Sequence, residues 1–409
     1  MNNKRKKTKQ KVLMVIDYPA RVNFFLKFLA PLEGHNYEAH FLTNDLYDYL
    51  RLILKRETAF IIEKKRESII EITQKFPQIC LKQKAINEIY NAATYTVDKL
   101  HRKNKYDLIF FFNGSDVVSQ AVSKYCFQEK ILTMYFEIGN IPNKIFADPK
   151  GVNAASALYR NIEILDLYPE SKVKYSEWKR EYADIKVKEQ MVPQATIKKA
   201  GVVEKIARRI LCLLKTCMLK VPNYSDGIVG AELKQKIFGV REKYKYAKRE
   251  LIKGKYIFFP LQVSSDTQLL YNSDYDNLAA LQIAIKMAYE KDMLLIVKPH
   301  PCEHNKEIIH EINIAQARHR FLLTDLNAFQ LIRQAEEIVT INSTVGLEAM
   351  ILGKKVTFLG RSIYSQLDEA RLEKYILEYL IEGNYFDSAP LSLGSMEKII
   401  KRAASRRCY

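Results

Sequence analysis

Short, mostly apolar runs that stop abruptly at a polar, glycine or proline break recur along this chain, and they constrain its fold more than any other feature. Residues 11–17 (KVLMVID) are apolar and β-branched and end at Asp17-Tyr18-Pro19. Residues 38–43 (EAHFLT), 106–112 (YDLIFFF, ended by Asn113-Gly114) and 131–136 (ILTMYF, followed by Glu137-Ile138-Gly139) repeat the pattern. Runs of this length and composition read as strands buried on both faces. Helically spaced segments separate them. One is an apolar stretch at 24–32. A longer one covers 45–103, with Leu50, Ile53 and Leu54 and later Ile86, Ile89 and Tyr90. Another follows the capping pair Ser115-Asp116, with Val117, Val118 and Ala121 on its inner side. The alternation resumes at 256–260 (YIFFP). Strands follow at 293–297, 321–324, 338–341 and 356–359, with helices near 278–289, 307–315, 328–335 and 346–352. Strands alternating with helices predict mostly parallel, doubly wound sheets, here two of them.

A length of 409 residues agrees with two domains. The expected division is a Rossmann-like domain over 1–157, a basic and mainly helical insertion or linker over 158–250, a second Rossmann-like domain over 251–365, and a helical tail over 366–409. The tail carries Leu372, Tyr375, Ile376, Tyr379 and Leu380 on one face. Two such domains joined by a linker predict an active site in an interdomain cleft. Within the insertion, 195–220 is basic and amphipathic. Val203, Ile206, Ala207, Ile210, Leu213, Leu214 and Met218 recur at helical spacing, while Lys205, Arg208, Arg209 and Lys215 fall mainly elsewhere round the helix. Such a segment is either a domain-packing helix with a solvated face or an interfacial helix for anionic lipid.

The net charge of +18 calls for an anionic partner: nucleic acid, a membrane surface or a phosphorylated substrate. No nucleic-acid module and no aromatic-interleaved basic stripe is present, so nucleic acid is not expected. No window of about 18 consecutive apolar residues occurs, so no transmembrane helix is expected. The basic start (MNNKRKK) precedes an apolar run too short for a signal-peptide core, and a cytoplasmic chain is expected. Cys80, Cys126, Cys212, Cys217, Cys302 and Cys408 form no CxxC pair or zinc spacing and read as free thiols.

Polar clusters stand just after several of the strands. In an open parallel sheet such ends share one edge, where ligands bind. Gln262-Val-Ser-Ser-Asp266 places a carboxylate that can act as nucleophile or base four residues after an amide that can orient a hydroxyl; Asp266 could equally cap a helix. In Lys298-Pro299-His300-Pro301 two prolines fix the backbone around one histidine, and Lys298 and His300 both donate toward a phosphate. A metal at His300 and His304 would need more partners than Glu303, and none is expected. Asn342-Ser343-Thr344-Val345-Gly346-Leu347-Glu348 runs from strand to hydroxyls to glycine to helix. Helix N-terminal amides bind anions, and Glu348 either complements the dipole or accepts from ribose hydroxyls. Neither a Walker loop nor G-x-G-x-x-G occurs. Glu137 is a candidate acid or base, or a structural carboxylate.

The stretches PLQVSSDTQ (260–268), KPHP (298–301), TINSTVGLEAMILGKKVTFLGRSIYS (340–365) and FEIGNIPNKIFADPKGVNAAS (136–156) together resemble the bacterial capsule polysaccharide biosynthesis/export family, which includes β-Kdo transferases. The resemblance implies a GT-B-like retaining glycosyltransferase with CMP-Kdo as donor substrate, no cofactor, and an N-terminal domain on the acceptor side. It implies that Asp266 of the Q-x-x-x-D motif is the nucleophile, with Gln262 beside it. His300-Pro301 would engage the CMP phosphate, Ser343 and Glu348 would contact the nucleotide, and Glu137 would serve as acid/base. One copy of each motif implies the single-module type that primes a phosphatidylglycerol-type lipid. Its expected partners are a phospholipid or glycolipid acceptor, the anionic inner leaflet and other capsule assembly or export proteins. The alternatives are a non-catalytic capsule assembly component and a GT-B enzyme using another nucleotide sugar such as a UDP-sugar.

Overall fold

The computed structural model describes residues 8–64, 71–72, 76, 81–188, 201–222, 243–247 and 254–405. The chain divides into two compact units, Met1–Ala157 with Pro193–Gln235 and Leu380–Tyr409, and Leu158–Val192 with Lys236–Tyr379. Each holds one sheet with the doubly wound character expected of a GT-B-like chain.

The first sheet contains β1 (Gln10–Ile16), β2 (Tyr37–Thr43), β3 (Thr58–Ile61), β4 (Leu108–Phe112), β5 (Leu132–Ile138) and β6 (Lys144–Asp148), with β12 (Ile381–Glu382) added from the end of the chain. Its order is β12-β6-β5-β4-β1-β2-β3. The strands from β5 to β3 are parallel, and β6 and β12 are antiparallel additions at one edge. The winding reverses between β1 and β4, which neighbour each other although β2 and β3 intervene in sequence. On one face Phe24, Phe28, Phe110, Phe112 and Phe136 pack edge to face, with ring centroids between 5.0 and 5.8 Å apart. The stretch expected as one helix at 24–32 is two, Ala20–Leu26 and Leu29–Gly34, each a turn or two long.

The second sheet contains β7 (Tyr256–Pro260), β8 (Leu294–Lys298), β9 (Phe321–Leu323), β10 (Glu337–Thr340) and β11 (Lys355–Phe358), all parallel, in the order β11-β10-β7-β8-β9. Its winding reverses between β7 and β10. Ile257 and Phe259 enter one core and Tyr256 and Phe258 the other, which is why this strand is apolar at every position.

The middle and the tail of the chain distribute differently from a division by sequence position. The helix Lys172–Lys188 belongs to the second unit and the helix Val202–Leu219 to the first. The tail is shared. Leu372, Tyr375, Ile376 and Tyr379 are buried in the second unit, whereas β12 and the helix Leu393–Ala404 complete the first. Met396 and Ile399 of that helix join the core of β1, β4 and β5. Hydrophobic demand assigns the tail, since the edge of the first sheet and its aromatic face need cover that residues 1–157 alone do not supply.

Candidate functional site

In the second unit the polar clusters expected to carry chemistry stand at the carboxyl edge of the sheet. Gln262 follows β7 and Asn342 follows β10, on either side of the point where the winding reverses. Their side chains meet. Gln262 Nε2 donates to Asn342 Oδ1 at 2.9 Å, and the Asn342 backbone N–H donates to Gln262 Oε1 at 3.1 Å. Asn277 holds the Gln262 backbone in turn, accepting from its N–H at 3.0 Å and donating to its carbonyl at 2.7 Å. Asn342 Nδ2 also donates to the carbonyl of Gln268 at 2.9 Å, which ties down the helix Thr267–Asn272. Gln262 is buried. Its amide is thus an internal clamp that sets where the loop carrying Asp266 leaves the sheet.

Asp266 caps that short helix, its Oδ1 accepting from Gln268 N–H at 2.8 Å. Burial raises its pKa above the ordinary carboxylate value, while the capping amide and the nearby His300 pull it back. His300 shifts the other way. Burial holds its imidazole pKa below the usual value, opposed by Asp266 and Glu303. These two groups, the candidate nucleophile and the candidate phosphate ligand, are therefore near enough to bias each other's ionisation. The Cys302 backbone N–H donates to His300 Nδ1 at 3.1 Å, so a neutral ring carries its proton on Nε2. Pro299 is buried and Pro301 exposed on either side. Lys298 ends β8 with its pKa lowered by burial, and its Nζ donates to the Asp325 carbonyl at 3.2 Å.

Glu303 spends both oxygens on backbone amides, accepting from Ser264 N–H and Asn305 N–H at 2.7 Å each. It bridges the loop after β7 to the loop after β8. Neither this carboxylate nor Asn277 or Asn342 stood out in sequence as a builder of the site. Glu303 and Asn342 lie inside or beside a motif and Asn277 lies outside one, and the partners that give them their role, Ser264 for Glu303 and Gln262 for the two asparagines, are 39, 80 and 15 residues away.

Ser343 caps the helix Thr344–Ile351, accepting from Val345 N–H at 3.2 Å, and Thr344 opens that helix. Gly346 is needed for close approach: a Cβ there would lie 2.4 Å from the Phe358 ring and 3.1 Å from Thr340 Cγ2. Glu348 is ion-paired with Lys186 of the helix Lys172–Lys188 at 3.1 Å, each side chain about one-seventh exposed at 14%.

Glu137 belongs to the other unit. It lies near the end of β5, where its Oε2 accepts from Asn113 Nδ2 at 2.7 Å and its Oε1 from Ile138 N–H at 3.0 Å. Asn113 takes a left-handed conformation (φ 62°), followed by Gly114 (φ 81°). The same edge holds a group that sequence reading treated only as a strand terminator. Asp17, the first residue past β1, is raised to about 7. Burial dominates, Arg21 opposes it and Asp116 adds to it. Arg21 Nε lies 3.7 Å from Asp17 Oδ1, and the guanidinium stacks 3.5 Å from the centre of the Phe112 ring and hydrogen-bonds the Tyr385 hydroxyl. Burial raises the Tyr385 pKa, and Asp17 and Glu137 both add to the shift. The signal for Asp17 was present: it is an acid directly after a buried strand, the rule that selected Asp266.

The sequence pattern of capsule polysaccharide biosynthesis proteins matches residues 114–367, well over half of the chain. Among curated proteins, Protein FixF of Sinorhizobium fredii is 33% identical over 129 residues, 31% of this chain and 31% of that protein. The chain thus aligns with about a third of that relative's length. The capsule polysaccharide export protein KpsS of Escherichia coli is 23% identical over 291 residues, 65% of this chain and 70% of that one. Among solved structures, the β-Kdo 2,7 transferase of Thermosulfurimonas dismutans KpsC is 14% identical, with a TM-score of 0.44 over 97% of this chain and 100% of that one.

Proposed function

Because this chain belongs to the capsule polysaccharide biosynthesis protein family, we propose that it is a retaining glycosyltransferase moving Kdo from CMP-Kdo to a lysophosphatidylglycerol-type lipid or a short Kdo linker. It would work as a peripheral protein on the anionic inner leaflet, beside other capsule assembly or export proteins. The observation that carries the reading is the edge of the second sheet, where Asp266 and His300 bias each other's ionisation beside Lys298. A carboxylate, a neutral imidazole donor and a cation are the groups that displacement of a sugar from a phosphate requires.

In this reading His300 Nε2–H, Lys298 Nζ and the amides of the helix opened by Ser343 and Thr344 hold the CMP phosphate. Pro301 fixes the backbone behind His300, and Gly346 keeps the helix seated on the sheet. Glu348 accepts from the ribose hydroxyls once Lys186 yields it. Gln262 positions the loop of Asp266. The Asp266 carboxylate attacks the anomeric carbon, and the C–O bond to CMP breaks with CMP leaving as the anion. Glu137 then takes the proton of the acceptor hydroxyl as that oxygen displaces Asp266. Two inversions give net retention. The donor supplies its own leaving group, so the scheme calls for no cofactor.

The test is product formation from CMP-Kdo and a fluorescent phosphatidylglycerol analogue. Asp266→Asn keeps a cap acceptor but removes the nucleophile, and its rate is expected to fall on the order of a thousandfold or more. An unimpaired Asp266→Asn would refute the mechanism. CMP, and neither UDP nor GDP, is expected to raise the thermal midpoint; stabilisation by UDP alone would overturn the donor. The Escherichia coli relative is named for export. A non-catalytic assembly role predicts glycolipid or transporter binding that survives Asp266→Ala with His300→Ala.

A further inference from the structure

The helix Val202–Leu219 is inside out. Val203, Ile206, Ile210, Leu213, Leu214 and Met218 are all exposed, Val203 and Met218 at 81% and 75%. The residues turned inward include two of its cations. Arg208 pairs with Asp48 at 2.8 Å and Asp45 at 3.4 Å and lies 4.2 Å from the centre of the Tyr47 ring. Lys215 is fully buried and bonds Asn44. Positions 208 and 215 are two turns apart on one side, and the apolar stripe runs down the opposite side. Directional bonds to charged and amide partners set this rotation. The sequence expectation that Arg208 and Lys215 would lie on a solvated basic face is thus corrected. The acids that draw Arg208 in lie some 160 residues earlier in the chain, and Asn44, which accepts from Lys215, directly precedes the first of them.

The helix that receives Arg208, Leu46–Leu54, also presents apolar residues outward: Leu50, Ile53 and Leu54, the last 84% exposed. Surface helices of globular proteins show the reverse pattern, and contiguous exposed apolar surface marks an interaction site.

We infer that these two helices form a bilayer-docking face that lies in the plane of an anionic phospholipid surface. This deepens the membrane part of the proposed function and rests on it. Charge selects the occupant. Across residues 46–56 and 201–220 the exposed charged side chains are Lys55, Arg56, Lys205, Arg209 and Lys220, all cations. The acids there are turned away: Asp48 is buried and Glu204 is paired to Arg208. An apolar stripe edged by lysine and arginine fits acyl chains beneath anionic headgroups. A second copy of this chain would set two cationic rims against each other. Among the described residues no helix is long and apolar enough to cross a membrane, so the face lies on the bilayer surface.

Sedimentation of the full chain with phosphatidylcholine vesicles, with and without phosphatidylglycerol, tests the assignment. The wild type is expected to sediment with the anionic vesicles and far less with the neutral ones, and to be released by salt. Ile210→Glu with Leu213→Glu should reduce binding on the order of tenfold or more. Lys205→Glu with Arg209→Glu, a pair of exposed sites that leaves the stripe untouched, should weaken binding and flatten its salt dependence. Phe127→Glu, at an exposed apolar site (76%) on the helix Val117–Gln128, should bind like wild type. If both double variants bind anionic vesicles as wild type does, this face is wrong while the membrane reading stands. If the wild type binds no anionic vesicle, the membrane reading fails as well. If Ile210→Glu with Leu213→Glu instead converts a dimer to a monomer, with vesicle binding unchanged, the face belongs to a second copy.

Discussion

The two sheets reverse their winding by the same rule, yet the points of reversal are filled with opposite chemistry. Between β7 and β10 the chain sets amides: Gln262, Asn342 and Asn277 exchange hydrogen bonds among themselves and with the backbone. Between β1 and β4 it sets charge: Asp17 and Arg21 lie beneath Tyr385, with Asp116 and Glu137 adding negative potential. Neutral amides that satisfy one another fix geometry at little electrostatic cost, so the second edge is held rigid for whatever docks on it. Buried charge is costly and stays responsive to protons, a combination that clusters at functional sites. One point of reversal is a fixed frame of amides, with its titrating groups, Asp266 and His300, set out on the loops beyond it, and the other is itself a titrating one.

The largest test of that contrast is pH. Folded Asp17 titrates at about 7 against an ordinary 3.8. Between those values the folded chain keeps a proton that the unfolded chain has released. The stabilisation is therefore complete below the unfolded value and is lost as pH rises through the folded one. At about 1.4 kcal/mol for each pH unit of the gap, the loss is on the order of 4 kcal/mol. Asp17→Asn mimics the protonated acid and keeps Arg21 against Phe112. Denaturant melts across this window should show the wild type weakening with pH and the variant holding level by comparison. Parallel curves would mean that Asp17 is not the group that titrates.

A smaller effect is expected at the second edge. Gly346→Ala places a methyl against Phe358 and Thr340, and overpacking of this kind costs about 1–3 kcal/mol, part of it offset by alanine's better helix propensity. The net destabilisation should be about 1–2 kcal/mol and independent of pH, read as a lower denaturation midpoint with an unchanged slope. A pH-dependent loss would mean that the packing around Gly346 is coupled to the titration of Asp266 or His300.

Much of this was legible beforehand because strand ends obey a local rule. An apolar run followed by a polar break marks a sheet edge, and Asp266, His300, Ser343 and Glu137 were all found by it. What escaped depends on long-range geometry. β3 is four residues inside a stretch of helical spacing, and β12 is two residues after a buried turn, so neither is long enough to show a period. Periodicity identified the stripe of the helix Val202–Leu219 but not its direction, which Asp45 and Asp48 impose from far away in the chain. Sequence points the Gln262 amide at a ligand, because the amide that meets it is 80 residues distant. Cys126 and Cys212 are buried thiols as expected, while Cys217 and Cys302 are exposed; Cys80 and Cys408 lie outside the described residues.

The finest distinction concerns whether the amide frame acts as a pair. If Gln262 and Asn342 only fill space, the effects of Gln262→Leu and Asn342→Leu on stability should add. If they clamp the edge, either single change strands a buried donor or acceptor on the other, a penalty of about 1–3 kcal/mol, and the double change removes part of that penalty. A double-mutant cycle is then expected to give a coupling of about 1 kcal/mol. It cannot return the full loss, because Asn342 also holds the carbonyls of Gln268 and Asn272. The same cycle run with Asp17→Asn and Arg21→Met should give a coupling that fades as pH falls below about 7, when Asp17 takes up its proton. A coupling at both edges that ignores pH would erase the distinction between the rigid frame and the titrating one. A coupling that varies with pH only at the first edge would tie that coupling to Asp17 and leave the Gln262–Asn342 pair a fixed scaffold.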